Sequence, residues 1–266
     1  MTPGTIVAEL RRRDPLLTTV GWLMIGGLAG AAALAALDTR AILGINPWIK
    51  PMKFFSSIAI FLWTMAWFMP EADPRHVRRL HRIRWTIALT MVGEIVLISL
   101  QSARGTTSHF NVSTTFNAIV FQAMGGMILA NTLAVAMFQR SLRREQPAGR
   151  AGYLRGLRLG LLTFVIGSLE GFVMIANLAH SVPRPDGGPG LPFVNWSTTG
   201  GDLRIAHFLA LHALQLLPLA GFLLDRVWAA GPALRARVVS LGALAWAGVA
   251  ALVLWLAVMG RPLIAQ

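Results

Sequence analysis

The chain has 266 residues, of which 55% are hydrophobic and 13% are charged. This composition is typical of an integral membrane protein and excludes an ordinary soluble domain. The absence of cysteine excludes disulfides, thiolate metal sites and a cysteine nucleophile. The net charge of +13 comes from basic residues in short runs between apolar segments, which indicates membrane loops and predicts no nucleic-acid partner.

Seven apolar runs have the length, about 20 residues, at which an α-helix crosses a hydrocarbon core. In chain order they are 16–37, 53–70, 84–103, 113–138, 158–180, 203–225 and 236–259. Backbone polar groups must be paired in lipid, and the chain lacks the alternation of a transmembrane β-strand. The sequence therefore predicts an all-α, polytopic membrane protein in which residues 1–266 form one seven-helix transmembrane domain.

The first run, 16–37, also has the basic start and the small residues of a secretory signal peptide. Its apolar stretch is longer than the usual signal core of about 7–15 residues. We predict that it is retained as the first span.

The orientation follows from the basic residues. Segments 11–13, 75–84, 139–158 and 225–237 hold 17 of the 24 lysines and arginines, and the alternate segments hold 7. Basic loops stay on the cytoplasmic side. This predicts a cytoplasmic N-terminus, an extracytoplasmic C-terminus and a place in a cell membrane of the bacterial inner-membrane type, in contact with the lipid bilayer.

Two carboxylates lie inside predicted spans. Glu94 and Gln101 are seven residues apart in the third span, and Glu170 and Asn177 have the same separation in the fifth span. Seven residues make about two helical turns, so each carboxylate shares a helix face with its amide. An intramembrane carboxylate costs about 2.5–3.5 kcal/mol, so both are predicted to act in catalysis or proton transfer, with the amides as ligand contacts.

The sixth span begins "GGDLRIAHFLALHALQ" and is unusually polar in its first half. Asp202 is the predicted N-cap of this helix. His207, His212 and Gln215 then form one broad face that must avoid lipid. We predict that this face lines the bundle interior, with His212 catalytic and Gln215 binding a ligand.

The histidines are unevenly distributed along the predicted depth of the membrane. His76 and His81 belong to a basic loop and are interpreted as solvated surface, whereas four others belong to the outer half: His109, His180, His207 and His212. Imidazole is the commonest metal-binding side chain. This predicts that a metal ion or haem binds through His207 with help from His109, His180 or His212, although a single histidine is more often a hydrogen-bonded structural residue than a ligand.

Basic residues also mark the outer side. Lys50 and Lys53 are the two lysines of the chain, and with Arg104, Arg184 and Arg204 they form a predicted cationic rim for an anionic ligand. The alternative is an interfacial anchor in which Trp48 joins the aromatic belt and the lysines reach the headgroups.

Three further segments have a structural interpretation. Residues 27–37 and 123–127 are rich in small side chains and predict close helix packing. Residues 181–201 form a loop dense in proline and glycine, which is either a connector or a binding element.

These features favour a membrane-embedded enzyme or redox protein that acts on a lipid-soluble or anionic small molecule, with a metal ion or haem as the predicted cofactor. A proton- or ion-coupled transporter with Glu94 and Glu170 as titrating groups is the first alternative. A structural or sensory membrane subunit is the second.

Overall fold

A computed structural model of the protein describes residues 3–144 and 147–265. These residues form eight α-helices and one short two-stranded sheet, and seven of the helices are long and apolar enough to cross a membrane. The predicted all-α polytopic fold is thereby confirmed. The chain divides into two compact units, Met1–Leu142 and Arg143–Gln266, and a single domain stays a prediction.

Unit 1 contains α1 (Pro3–Arg13), α2 (Pro15–Leu37), α3 (Ile49–Phe68), α4 (Val77–Ala103) and α5 (Thr115–Arg140). The α2 helix packs along α3, and α4 packs against α2, α3 and α5. The start of α2 is set by Asp14, whose carboxylate accepts the amide of Leu17 at 3.0 Å. Pro15 occupies the first helical position, where the missing N–H costs no bond.

The first helix, α1, was not predicted, because its sequence contains no apolar run of membrane-spanning length. It lies against α2 and α3, and Arg13 donates to the carbonyl oxygen of Trp67 at 2.7 Å. Hydrogen bonds from Arg12 and then Arg13 hold the pKa of Glu9 at about 2. This helix is tied to unit 1 by charge and hydrogen bonding.

Unit 2 contains α6 (Ala151–Asn177), β1 (Ser181–Val182), β2 (Gly201–Asp202), α7 (Leu203–Val227) and α8 (Pro232–Val258). The strands pair in antiparallel fashion, with Ser181 opposite Asp202. The α7 helix packs along α6, and α8 packs against both. The predicted cap is confirmed, because the Asp202 carboxylate accepts the amide of Arg204 at 3.0 Å.

A row of glycines joins α6 to α7, and we call it the glycine seam: Gly152, Gly156, Gly160 and Gly167. A Cβ atom at Gly156 would lie 2.2 Å from the carbonyl oxygen of Leu217, and one at Gly160 would lie 2.7 Å from that of Ala213. On α7, a Cβ at Gly221 would lie 2.1 Å from the carbonyl oxygen of Gly152. The two backbones approach closely because these side chains are absent.

The two small-residue segments identified in the sequence pack differently. A Cβ at Gly27 would meet the ring of Phe55 at 2.2 Å, so an aromatic side chain fills that space. At Gly125 and Gly126, no atom of the described residues lies within 4 Å of such a Cβ. Close backbone packing thus occurs in the glycine seam, which the sequence analysis did not identify.

The first turn of α6 is capped by a side chain from the last turn of α7. The Asp225 carboxylate accepts the amide of Gly152 at 3.0 Å and that of Tyr153 at 2.7 Å. Arg235 of α8 lies 3.2 Å from the same carboxylate and donates to the carbonyl oxygen of Ala148. One buried ion pair therefore joins an end of each helix of unit 2.

Large apolar side chains are exposed on all seven long helices, for example Leu23, Ile60, Leu89, Ile119, Ile166, Leu219 and Leu252. Water would solvate such a surface poorly, whereas hydrocarbon solvates it well. The helix exteriors therefore suit a bilayer.

Candidate functional site

The predicted site residues Glu170 and His207 meet across α6 and α7. His207 Nδ1 lies 2.8 Å from the carbonyl oxygen of Gly167 and 3.4 Å from Glu170 Oε2. Two glycines make room for this contact, since a Cβ at Gly167 would lie 2.3 Å from the Cβ of Ala210, and one at Gly171 would lie 3.4 Å from the His207 ring. The sequence predicted both residues but not their pairing.

The partners of His207 determine which ring nitrogen carries the proton. A carbonyl oxygen only accepts, so Nδ1 must be the donor to Gly167. Within the described part of the chain, Nε2 makes no hydrogen bond, and neither Glu170 oxygen accepts one. Neutral His207 therefore presents Nε2 as a basic nitrogen, and Glu170 lies where it stabilises the charged ring.

A second group of polar residues surrounds β1 and β2 at the end of unit 2 where α6 ends and α7 begins. Asp186 accepts the amides of His180 and Ser181 at 3.2 and 3.0 Å, and His180 Nδ1 lies 3.1 Å from the same oxygen. Asp186 was not identified from the sequence, although an aspartate before two glycines is a common turn residue.

Asp202 and Arg204 fix the other side of this loop. Arg204 makes paired contacts of 2.9 and 2.6 Å with the Asp202 carboxylate and also donates to the carbonyl oxygen of Asn195. The amide of Ser197 adds a bond of 2.8 Å to Asp202. Burial raises the pKa of Asp202, but the hydrogen bond and charge of Arg204 and the Ser197 amide outweigh it, so this pKa lies below its usual range.

The contacts of Asp186 and Asp202 shape the loop around a cavity of about 340 Å³. The residues that line it include His180, Arg184, Asp186, Asn195 and Arg204. The volume falls at the lower end of the range for small-molecule pockets, about 300–1,000 Å³. Arg184 is exposed and makes no ion pair with any described residue. The 181–201 loop is thus folded around a cavity, and a binding role for it stays a prediction.

In unit 1, two predicted ligand contacts, Gln101 and Arg104, form one network with Asn117 of α5. Gln101 Nε2 donates to Asn117 Oδ1 at 3.0 Å, and Arg104 donates to Gln101 and, at 2.8 Å, to Asn117. The Arg104 guanidinium also lies 4.4 Å from the centre of the Phe116 ring. These contacts use much of the hydrogen-bonding capacity of Gln101 and Arg104 within the protein.

Lys50 and His109 lie together at one end of unit 1, and Glu94 lies nine residues before the end of α4. Lys50 Nζ donates to His109 Nδ1 at 3.1 Å, and Ser108 Oγ lies 3.0 Å from that nitrogen. Glu94 is 1% exposed on α4, and its neighbouring turn packs on α5 because the sulfur of Met127 occupies the space beside Gly93. Lys53 lies one turn along α3 from Lys50 and is partly buried.

The remaining predicted site residues occupy separate places in unit 2. His212 Nδ1 bonds to the carbonyl oxygen of Phe208 on its own helix, and its ring stacks on Phe208 at 3.9 Å. Asn177 donates to the carbonyl oxygens of Ala179 and Ser181 and so closes the end of α6. Gln215 lies two turns beyond His207 on α7 and is partly buried.

Histidine partners differ from residue to residue: Gly167 and Glu170 for His207, Asp186 for His180, Lys50 for His109 and Phe208 for His212. Within residues 3–144 and 147–265, no group of three or more histidine, aspartate or glutamate side chains is placed to hold a metal ion. Metal or haem binding stays a prediction.

The fold and these sites define an all-α, polytopic integral membrane protein with ionisable groups in its helices and an ordered polar loop. Comparison with protein-family models, with curated proteins and with solved structures gives no significant match.

Proposed function

We propose that the protein is a membrane-embedded enzyme that uses His207 as its proton acceptor and acts on a small anionic molecule. The observation that carries this proposal is the contact of His207 Nδ1 with Gly167 and Glu170. The Gly167 carbonyl oxygen holds one ring nitrogen, and the nearby Glu170 carboxylate stabilises the charge that develops on the imidazole of a general base. Nε2 is then the nitrogen that takes the substrate proton.

The cavity supports the anionic character of the substrate. Arg204 lines the cavity and precedes His207 by three residues, so the two lie on one side of α7 about 4.5 Å apart along its axis. The planar guanidinium of Arg184 suits a carboxylate or phosphate group. A molecule with an anionic head and an apolar body would satisfy both the cavity and the position of His207 within a span.

The first experiment is a ligand screen on purified protein in detergent. Acetate, inorganic phosphate, a long-chain carboxylate and an alkyl phosphate are tested for a rise in unfolding temperature, since a ligand that binds the folded state stabilises it. Arg184→Gln should reduce the rise. Arg261→Gln, which changes an exposed arginine outside the cavity, should preserve it.

Turnover is then measured by mass spectrometry on the ligand that binds. His207→Gln should preserve binding and lower turnover by about 10²–10⁴-fold, the usual contribution of a general base. His81→Gln in the basic segment 75–84 is the matched control and should keep full turnover. Chemical conversion that is unchanged in His207→Gln would contradict the proposal.

A second candidate role for His207 is that of a metal or haem ligand, as in a redox protein. The observation that favours it is again the hydrogen bond of Nδ1 to Gly167. In metal-ligating imidazoles, the ring nitrogen that does not bind the metal usually donates a hydrogen bond to a carbonyl or carboxylate oxygen. Metal analysis and a visible spectrum of the parent and of His207→Ala test this role. A bound metal or chromophore lost only in His207→Ala would favour it over the metal-free enzyme.

Coupled transport is favoured by the presence of a buried carboxylate in each unit, Glu94 and Glu170. The two functions differ in the fate of the ligand. Proteoliposomes that accumulate the ligand unchanged when a pH gradient is applied would favour transport, whereas release of a chemically altered product favours the enzyme.

A further inference from the structure

Glu94 is the most deeply buried carboxylate of a membrane span in unit 1. It is 1% exposed, and among the described residues neither of its oxygens has a hydrogen-bond partner. One turn further along α4 lies Ile98, which forms a buried apolar cluster with Val120 and Met124 of α5. An ionised carboxylate in such surroundings is strongly unfavourable, so the group must exchange its charge for a proton.

The helices packed against α4 contribute few charges. The α2 helix contains no ionisable residue, and α5 contains only Arg140 at its far end. Arg84 of α4 and Arg104, which caps the end of α4, are each ten residues from Glu94, and this separation corresponds to about 15 Å along the helix axis. Arg84 lies 3.5 Å from Asp14, and Arg104 bonds to Gln101 and Asn117.

The α3 helix supplies the cation that acts on Glu94. The α3 helix packs against α4, and of the two lysines in the first turns of α3 it is Lys50 whose charge acts on Glu94. Lys50 also donates to His109 Nδ1 at 3.1 Å, and His109 lies on the partly exposed segment between α4 and α5. Unit 1 therefore has three ionisable groups between its interior and one of its ends: the buried carboxylate of Glu94, the ammonium of Lys50 and the imidazole of His109.

We propose that Glu94 is an exchangeable proton site of unit 1, that Lys50 controls its charge, and that it is reached from the end where His109 lies. Glu94 binds one proton when it is neutral and releases that proton when it is charged. When it is charged, Lys50 is its counter-ion. The site is independent of His207 and its proposed reaction, because the residues that form it belong to unit 1.

The test uses dicyclohexylcarbodiimide, an apolar reagent that adds to the protonated form of buried carboxyl groups. The full-length protein is labelled over a series of pH values, and the adducts are located by mass spectrometry of peptides. The Glu94 peptide should carry the adduct in the parent, with a yield that falls as pH rises, and Glu94→Gln should lose it. Glu71, which lies near Arg13 at the other end of α3, is the carboxylate control and should be labelled weakly.

Lys50→Met tests the role of the counter-ion, with Lys53→Met as the matched control. Loss of the Lys50 charge disfavours the ionised carboxylate, so the midpoint of labelling should move to higher pH in Lys50→Met. The midpoint should stay in place in Lys53→Met. Equal shifts in the two variants would overturn the assignment of Lys50.

Infrared spectroscopy gives a measurement that does not depend on access of the reagent. The difference spectrum between the parent and Glu94→Gln should contain the carbonyl stretch of a protonated carboxylic acid at neutral pH, and this band should decrease at alkaline pH. A difference spectrum with only ionised carboxylate bands at neutral pH would overturn the proposal. Neither outcome affects the test of His207, because Glu170 and His207 are unchanged in these variants.

Discussion

Gly156 of α6 lies against the main chain of Leu217 on α7, so closely that a Cβ atom at residue 156 would be 2.2 Å from the Leu217 carbonyl oxygen. The atom that would be struck belongs to a helix backbone, which cannot move aside as a flexible side chain can. This relationship brings α6 and α7 close enough for Glu170 and His207 to meet.

Gly156→Ala should therefore force the two helices apart and lower the free energy of unfolding by about 1–3 kcal/mol, the usual cost of overpacking. Chemical denaturation in detergent, monitored by circular dichroism, measures this free energy. Gly242→Ala on α8 is the control, since no described atom lies within 4 Å of a Cβ there, and it should be neutral or slightly stabilising. Equal losses in both variants would contradict the glycine seam.

Nδ1 of His207 faces a hydrogen-bond acceptor, whereas Nδ1 of His109 faces a donor, so the two neutral histidines should be different tautomers. His207 Nδ1 faces a carbonyl oxygen and must carry the proton, whereas His109 Nδ1 accepts from the Lys50 ammonium and leaves the proton on Nε2. Nitrogen NMR of histidine-labelled protein distinguishes the two forms, and His207→Gln and His109→Gln assign the signals. The same tautomer at both positions would be inconsistent with these contacts.

The folded structure of the 181–201 loop should be lost at acidic pH. Since the folded-state pKa of Asp202 lies below its unfolded value of about 3.9, its stabilisation is complete above that pH and is lost as pH falls through the folded pKa. Digestion by an acid protease should therefore increase within this loop below about pH 4. Asp202→Ala should be cleaved in the loop at every pH at which the protease is active, whereas Asp73→Ala, which removes a cap in the other unit, should leave loop cleavage unchanged.

Asp225→Ala should destabilise unit 2 by about 3–5 kcal/mol, because it leaves Arg235 buried without its carboxylate and removes the acceptor of two amides. Unfolding of Asp225→Ala, Arg235→Met and the double variant forms a double-mutant cycle. The double variant should lose less than the sum of the single losses. Strict additivity would show that the pair does not act as a unit.

The predicted orientation can be tested with two reporters at the C-terminus. Alkaline phosphatase fused after residue 266 should be active, since it folds outside the cytoplasm, and a fluorescent protein at the same place should stay dark. Fusions at the N-terminus should give the reverse result. A fluorescent C-terminal fusion would contradict the predicted orientation.

Much of the fold was predictable because lipid imposes a simple rule on sequence: a run of about 20 apolar residues must be a helix. The helix ends were less accurate, since α4 begins at Val77 and α6 at Ala151, seven residues before the predicted starts at 84 and 158. In both cases the helix continues into a basic segment. Long arginine side chains can lie along the helix with their charges at the membrane surface, so apolarity does not mark the end.

The polar residues were predictable one at a time, because a charged side chain in a span is conspicuous. Their partners were not. The contact between Glu170 and His207 depends on how α6 and α7 pack, which is controlled by glycines that carry no chemical signal. A spacing of four residues through Gly152, Gly156 and Gly160 was present in the sequence and is typical of close helix packing. The Asp225 cap had no local signal, because the accepting carboxylate lies 73 and 72 residues along the chain from the donating amides of Gly152 and Tyr153.

That cap has a consequence for the order of events during synthesis. Gly152 is made 73 residues before the Asp225 carboxylate that accepts its amide. Until α7 has been synthesised and turned back along α6, the first turn of α6 lacks this acceptor. The nascent helix is therefore incomplete at its N-terminal end until a later span arrives, so α6 and α7 reach their final form together, as a hairpin.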